Sequence, residues 1–236
     1  MTDRLTTTGS TPPSRVRIVW DWNGTVRDDV ADHLAALNAT IPDLGGGPVN
    51  LETYRAEHRV PIRAFYDQLL GREITDEEWR RGDAAFLAVL DERPVRLREG
   101  VRQLMLRLRA GGHGQSLLSL APHERLVREV HKTGIGGLLE RIDGRTGPSV
   151  STKGPALAAH LEALGPDTDP ASVVVIGDSL DDAAAALELG AYPVLHTGGL
   201  HSAARLATAG VPLVDTLEEA VVVGLAAVRA RLGARR

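Results

Sequence analysis

An apolar run that stops abruptly at an aspartate constrains this chain more than any other feature. Val16, Ile18, Val19 and Trp20 lead into Asp21, and Trp22-Asn23-Gly24-Thr25 follows. A β-branched run of that kind is a buried strand, and the turn residues after it put Asp21 at the strand's C-terminal end. In open α/β sheets that end borders the crevice where ligands bind.

The rest of the chain fits such a sheet. From about Asp28 to Arg96 the pattern is helical, with no strand signal. Asn50 can cap a helix running through Tyr54 and His58, and Pro61 opens another with Phe65, Leu69 and Leu70 on one face. Thr75-Asp76-Glu77-Glu78 is a capping box ahead of Trp79, Phe86 and Leu90. Strand and helix signals then alternate: a helix over Gly100 to Ala110, a strand over Ser116 to Leu120, a helix from Pro122-His123-Glu124, and a short strand from Ile142. Lys153 to Leu164 reads as helix. Val173 to Ile176 is apolar throughout, as suits the centre of a parallel sheet. A helix over Ala183 to Leu189, strands at Tyr192 to Leu195 and Val211 to Val214, and a last helix from Leu217 complete the chain. The spacing predicts a doubly wound, parallel, Rossmann-like α/β sheet with a small helical domain inserted after the first strand. The expected division is a disordered tail over 1–14, a core over 15–28 and 97–236, and the helical insert over 29–96.

Composition narrows the function classes. The formal net charge of −4 carries no nucleic-acid footprint. Cysteine is absent, which removes disulfides and thiolate metal sites. No apolar run is long enough to span a membrane, and the polar first residues lack the apolar stretch of a signal peptide. A cytoplasmic protein is expected. There are two lysines, Lys132 and Lys153, against 25 arginines. Where arginine is the default cation, a lysine that remains is a candidate for a task needing a compact point charge.

Four segments carry the chemistry: Asp21-Trp22-Asn23-Gly24-Thr25; Ser119 at the end of the second strand; Lys153 at a helix start; and Gly177-Asp178-Ser179-Leu180-Asp181-Asp182 after the most apolar strand. In order and spacing they resemble the four motifs of the haloacid dehalogenase-like hydrolases, over nearly the whole chain from Val16. The insert resembles the helical cap of the phosphoglycolate phosphatase-like branch. The resemblance implies a phosphate monoester hydrolase acting on a small phosphorylated metabolite, with Asp21 as nucleophile and an aspartyl-phosphate intermediate. It also implies a backbone carbonyl from position 23 and the carboxylate of Asp182 at the metal.

Each residue also has a physical reading. A carboxylate at a crevice can attack phosphorus covalently. A phosphoryl group facing carboxylates needs a cation between them, and Asp21 with Asp178 offers hard oxygen ligands suited to Mg²⁺. Ser119 can donate to a phosphoryl oxygen, and Lys153 can supply charge to nucleophile and phosphate. The backbone N–H groups around Trp22, Asn23, Gly24 and Thr25 can cradle the oxygens. Asp181, beside Asp182, can exchange roles with it. Taken singly, each has a plainer explanation: a helix cap for Asp178 and Asp182, a turn serine, a surface lysine. In the insert, Arg55, His58, Arg59 and Arg63 form a solvated helical face or a site for a substrate anion.

Asn23 is the departure. The resemblance places the general acid/base at this position, and an amide cannot shuttle a proton. Such assistance contributes about 10²–10⁴-fold in rate. Either an acid of the cap such as Asp28, Asp29 or His58, or a metal-bound water, replaces it, or substrates with good leaving groups need it least. A phosphate- and metal-binding regulatory protein is the alternative of a different class. Two other chemistries of the superfamily fit less well. A phosphonatase needs a cap lysine, and the insert has none; a 2-haloacid dehalogenase carries an aromatic residue where Asn23 stands and needs no metal.

Overall fold

The computed structural model describes residues 16–147, 152–166 and 168–235. The tail expected over 1–14 lies outside them. The chain enters strand β1 (Arg17–Trp20), then four helices: α1 (Val30–Thr40), α2 (Leu51–Glu57), α3 (Ile62–Leu70) and α4 (Asp76–Asp91). It returns through α5 (Val101–Ala110), β2 (Gly114–Pro122), α6 (His123–Thr133), β3 (Arg141–Arg145), α7 (Gly154–Ala163), β4 (Val173–Gly177), α8 (Leu180–Glu188), β5 (Tyr192–His196), α9 (Ala203–Ala207), β6 (Leu213–Val214) and α10 (Leu217–Gly233).

The six strands form one parallel sheet in the order β3-β2-β1-β4-β5-β6. The chain winds outward from β1 to β3, then returns to the other side of β1. That reversal opens a crevice at the C-terminal ends of β1 and β4. Side-chain alternation divides the core. Ile18, Trp20, Val174 and Ile176 face α5, α6 and α10, whereas Val19, Val173 and Val175 face α7 and α8. The expected α/β architecture is what the chain adopts.

The insert leaves and re-enters the sheet region along one seam. The Asp28 N–H donates to the Arg96 carbonyl at 3.0 Å and the Arg98 N–H to the Val26 carbonyl at 2.9 Å. Its helices pack an apolar cluster of their own from Leu37, Ile41, Tyr54, Phe65, Tyr66 and Ile74. The Asn50 cap and the Thr75–Glu78 capping box both form. Among the described residues, no helix is long and apolar enough to cross a membrane.

Several boundaries differ from the sequence reading. β2 extends beyond Ser116–Leu120 at both ends, and its pairing with β3 shifts between Leu118 and Pro122. Ser119 therefore lies at an irregularity inside the strand and not at its end. α8 begins at Leu180, three residues earlier than expected, because Ser179 and Asp182 form a capping box. The short helix α9, capped by Ser202, has too few residues to show a period.

Candidate active site

The crest of β1 and β4 gathers three carboxylates, two of them paired with one ammonium. Asp21 directly follows β1, where its N–H donates to the Ile176 carbonyl at 2.9 Å. Lys153, the residue before α7, reaches Asp21 Oδ1 and Asp182 Oδ1, each at 2.5 Å. Oxygens of Asp21, Asp178 and Asp182 lie within 4.8 Å of one another. All four side chains are buried.

Local sequence explains the placements. Asp178 Oδ1 accepts from the Thr25 hydroxyl at 3.0 Å, and Oδ2 accepts from the Leu200 N–H. A Cβ at Gly24 or Gly199 would run into this carboxylate, and Gly24 has φ +72, so glycine is required there twice over. Asp182 is fixed from the other side: its Oδ2 accepts from the Ser179 hydroxyl at 2.6 Å and from the Ser179 N–H at 3.1 Å. Arg98 ties the turn down by donating to the carbonyls of Thr25 at 2.9 Å and Gly24 at 2.6 Å.

Burial and unequal pairing drive the electrostatics. Burial pushes the Asp21 carboxyl up to about 6, with the Lys153 charge working against the rise and the Asp182 charge adding to it. Asp178 has no cation beside it. Burial and then the charges of Asp21 and Asp182 raise it well above the ordinary carboxylate range. Burial acts to raise Asp182 as well, but Lys153 and the Ser179 hydrogen bonds hold it below its usual value. Lys153 is raised despite burial, because two carboxylates surround it. Three clustered carboxylates against one ammonium leave a deficit of positive charge on the Asp178 side. A hard, oxygen-seeking dication fits that deficit and that donor set.

Asn23 is engaged sideways. Its Nδ2 donates to Asp29 Oδ2 at 2.5 Å and lies 3.3 Å from His33 Nε2. Asp29 also accepts from the Gly24 N–H at 2.8 Å and pairs with Arg27 at 3.3 Å. Burial would raise Asp29, but His33, Arg27 and the Asn23 amide together bring it below the usual value. Of the three residues expected to replace the missing acid, Asp29 is thus held ionised. Asp28 is exposed, 3.9 Å from Arg98. His58 is pushed well below its ordinary value by burial, then by His201, so it stays neutral at neutral pH. His33 was missed. Its signal was the four-residue spacing from Asp29 at the start of α1, which places both on one helical face.

Other expected residues divide. Ser119 lines the crevice cavity together with Asp21, Asn23, Lys153, Asp178 and Asp182. The Ser119 hydroxyl oxygen accepts from the Ala121 N–H at 3.1 Å, which leaves its proton to donate. The Trp22 indole is fully buried and donates to Glu129 at 2.8 Å, so only its backbone can serve a phosphate. Of the cradle expected over Trp22 to Thr25, the donors of Gly24 and Thr25 are engaged within the protein. The Gly24 N–H is taken by Asp29, the Thr25 N–H by the Trp22 carbonyl at 3.2 Å, and the Thr25 hydroxyl by Asp178. Asp181 and Asp182 both line the cavity, and of the two it is Asp182 that caps α8 and holds Lys153.

The expected anion site in the insert is not brought together. Arg55 donates to the carbonyls of Gly199 at 2.9 Å and Gly198 at 3.4 Å, bracing the loop that holds Asp178. Arg59 pairs with Glu57 at 3.0 Å, and Arg63 with Asp76 at 2.6 Å. None of the three lines the cavity; of that set only His58 does, packed against the rings of Tyr54, Phe65 and His201. Arg59 and Arg63 find partners within the insert, and Arg55 finds its own across the seam in the loop after β5.

Comparison with known proteins agrees with this geometry. The family description "haloacid dehalogenase-like hydrolase" matches residues 17–190. A phosphoglycolate phosphatase of Synechococcus elongatus is 24% identical over 198 residues, covering 81% of this chain and 88% of that protein. The crystal structure of a predicted phosphatase from Clostridium acetobutylicum superposes with a TM-score of 0.76 at 16% identity, covering 87% of this chain and 96% of that one. That of a predicted phosphoglycolate phosphatase from Haemophilus somnus gives 0.72 at 18%, covering 89% and 97%. Since the family match spans well over half of the chain, the protein belongs to the haloacid dehalogenase-like hydrolases.

Proposed function

We propose that the protein is a cytoplasmic, Mg²⁺-dependent phosphatase that cleaves phosphate monoesters of small metabolites through an aspartyl-phosphate on Asp21. The observation that carries this reading is the cluster of three buried carboxylates at the strand crest, two of them paired with Lys153. The phosphatases among its relatives support the same chemistry.

Asp21 attacks phosphorus, and the ester oxygen leaves with the bonding electrons. Lys153 holds Asp21 in place and offsets charge on the phosphoryl oxygens, and Ser119 donates to one of them. Mg²⁺, held by Asp21, Asp178, the Asn23 backbone carbonyl and Asp182, would neutralise charge on the phosphoryl group. Water then cleaves the aspartyl-phosphate. The helices of 29–96 act as a cap over the crevice.

Asn23 favours one competing reading, a protein that binds phosphate and metal but turns over poorly. The deciding experiment is hydrolysis of a panel of phosphate monoesters with Mg²⁺, beside acid-quenched detection of phosphorylated Asp21. Asp21→Asn should lose at least about 10³-fold in kcat, as expected when a nucleophile is removed. Equal hydrolysis by the variant would overturn the assignment. A phosphorylated wild type without turnover would establish the binding reading.

A further inference from the structure

Beyond the carboxylates, the cavity has a different character. It measures about 190 Å³ and is walled on the insert side by Tyr54, Phe65, Tyr66, Trp79 and Phe86. The chain has three Trp, three Tyr and two Phe, so five of its eight large aromatic residues surround this space. Their rings run edge to face: Tyr54 to Phe65 at 5.5 Å, Phe65 to Tyr66 at 6.2 Å and Tyr66 to Trp79 at 5.8 Å between centroids. Tyr54, Phe65 and Tyr66 are buried and form the interior of the helical block, whereas Trp79 and Phe86 are only partly covered and complete the wall.

Charge in the cavity disfavours a second anion. Asp83 and Asp181 line it in addition to the three clustered carboxylates. Of its cations, Lys153 is committed to Asp21 and Asp182, and Arg125 to Glu129 at 2.8 Å and Asp91 at 3.3 Å. Arg145 donates to the carbonyls of Leu120 and Gly147, and its charge acts on Asp83, lowering that carboxyl against the effect of burial.

The second observation is Asn23. Its amide is held by Asp29 and carries no proton to a leaving group. A phenolate leaves without one; an alkoxide does not leave readily without one. An aromatic wall and a missing acid are independent features, and one class of substrate satisfies both.

We infer that the substrate is a phosphate monoester of an aromatic alcohol of the phenol type, its ring seated against Trp79 and Phe86. This inference rests on the phosphatase reading and specifies its leaving group. The phosphorus–oxygen bond to the ring breaks as the bond to Asp21 forms. The phenolate departs with the electron pair and takes its proton from solvent, and water later releases inorganic phosphate.

The test compares 1-naphthyl phosphate, 2-phenylethyl phosphate, glycerol 3-phosphate and 2-phosphoglycolate on the full-length protein with Mg²⁺. The naphthyl ester should exceed glycerol 3-phosphate and 2-phosphoglycolate in kcat/KM by on the order of 10². The phenylethyl ester should keep a low KM but a low kcat, since it has the ring without the good leaving group. Trp79→Ala and the more conservative Phe86→Leu should raise KM for the naphthyl ester, by roughly tenfold for the former. Both should leave phosphorylation of Asp21 by acetyl phosphate within about twofold, which controls for folding. A 2-phosphoglycolate rate equal to or above the naphthyl rate would overturn the inference and point to Arg145 as a carboxylate clamp. So would equal losses on naphthyl and acetyl phosphate. In either case labelling of Asp21 by acetyl phosphate would leave the phosphatase reading standing. Absence of labelling and of turnover on every ester would end both.

Discussion

The strand crest and the helical insert face each other across one cavity and are built on opposite principles. At the crest nearly every group is charged and fixed by short hydrogen bonds that join segments far apart in the chain. Across from it, the wall is made of rings brought from α2, α3 and α4 that touch one another and make no ion pairs. The first arrangement resists change, since removing one partner strands a buried charge. The second tolerates change, since apolar volume can be repacked at modest cost. On the proposed reading, chemistry and selection of the leaving group are therefore separable in this molecule.

The sharpest way to break that separation is at Lys153. Lys153→Arg keeps the charge but replaces a point donor with a planar fork, where two carboxylates each accept at 2.5 Å. Turnover should fall by about 10²-fold on every ester, with the ranking of esters unchanged. A change in ranking would mean that the crest also selects substrates.

Asn23→Asp comes next. The new carboxyl would stand against Asp29, which now accepts from the amide at 2.5 Å. Like charges at that distance raise the new group's pKa, so it stays protonated to higher pH and can act as an acid. Alkyl esters should gain about tenfold and aryl esters little. The gain should be lost as pH rises and the carboxyl ionises. An equal gain on both would show that leaving-group protonation is not what the wild type lacks.

A smaller effect concerns metal and protons. Because burial lifts Asp21 to about 6 and Asp178 well above its usual range, protons compete with a cation for both. Mg²⁺ at 100 times its dissociation constant stabilises by about 2.7 kcal/mol. The rise in Tm on adding Mg²⁺ should therefore be larger at pH 7.5 than at pH 5. The direction is fixed because raised carboxyl pKa values favour the proton-loaded, metal-free state as pH falls. The same increment at both pH values would remove these carboxylates from the cation site. The smallest effect belongs to Arg63→Ala: its guanidinium pairs with exposed Asp76, so kcat and KM should stay within about twofold. A tenfold rise in KM would put the arginine face of the insert back at the substrate.

The same contrast governs what could be read before folding. Asp21, Asp178 and Lys153 were legible because each follows a strand or opens a helix, where sequence and space are still in step. The amide at Asn23 was legible as a departure, but its engagement with Asp29 and His33 was not, since those partners come from the first turn of α1. The aromatic wall was hidden in plain periodicity. Phe65, Trp79 and Phe86 sit where any amphipathic helix puts core residues, and only the docking of three helices shows that they border a cavity. Arg55, Arg59 and Arg63 misled for the converse reason: charge in a helical stretch says nothing about which way each side chain turns, and Arg59 lies between α2 and α3.

Asp182 carries one more consequence. It closes the capping box of α8 and also accepts from Lys153, so a single carboxylate starts a helix and anchors the site. Losing such a cap costs about 1 kcal/mol before any catalytic effect is counted. Mutational drift after a loss of activity would meet resistance there, and the aspartate would outlive the reaction. An acid retained at this position in a related sequence is thus evidence of a helix start, and an inactive descendant could keep the outward signature of an enzyme for as long as it needed to fold.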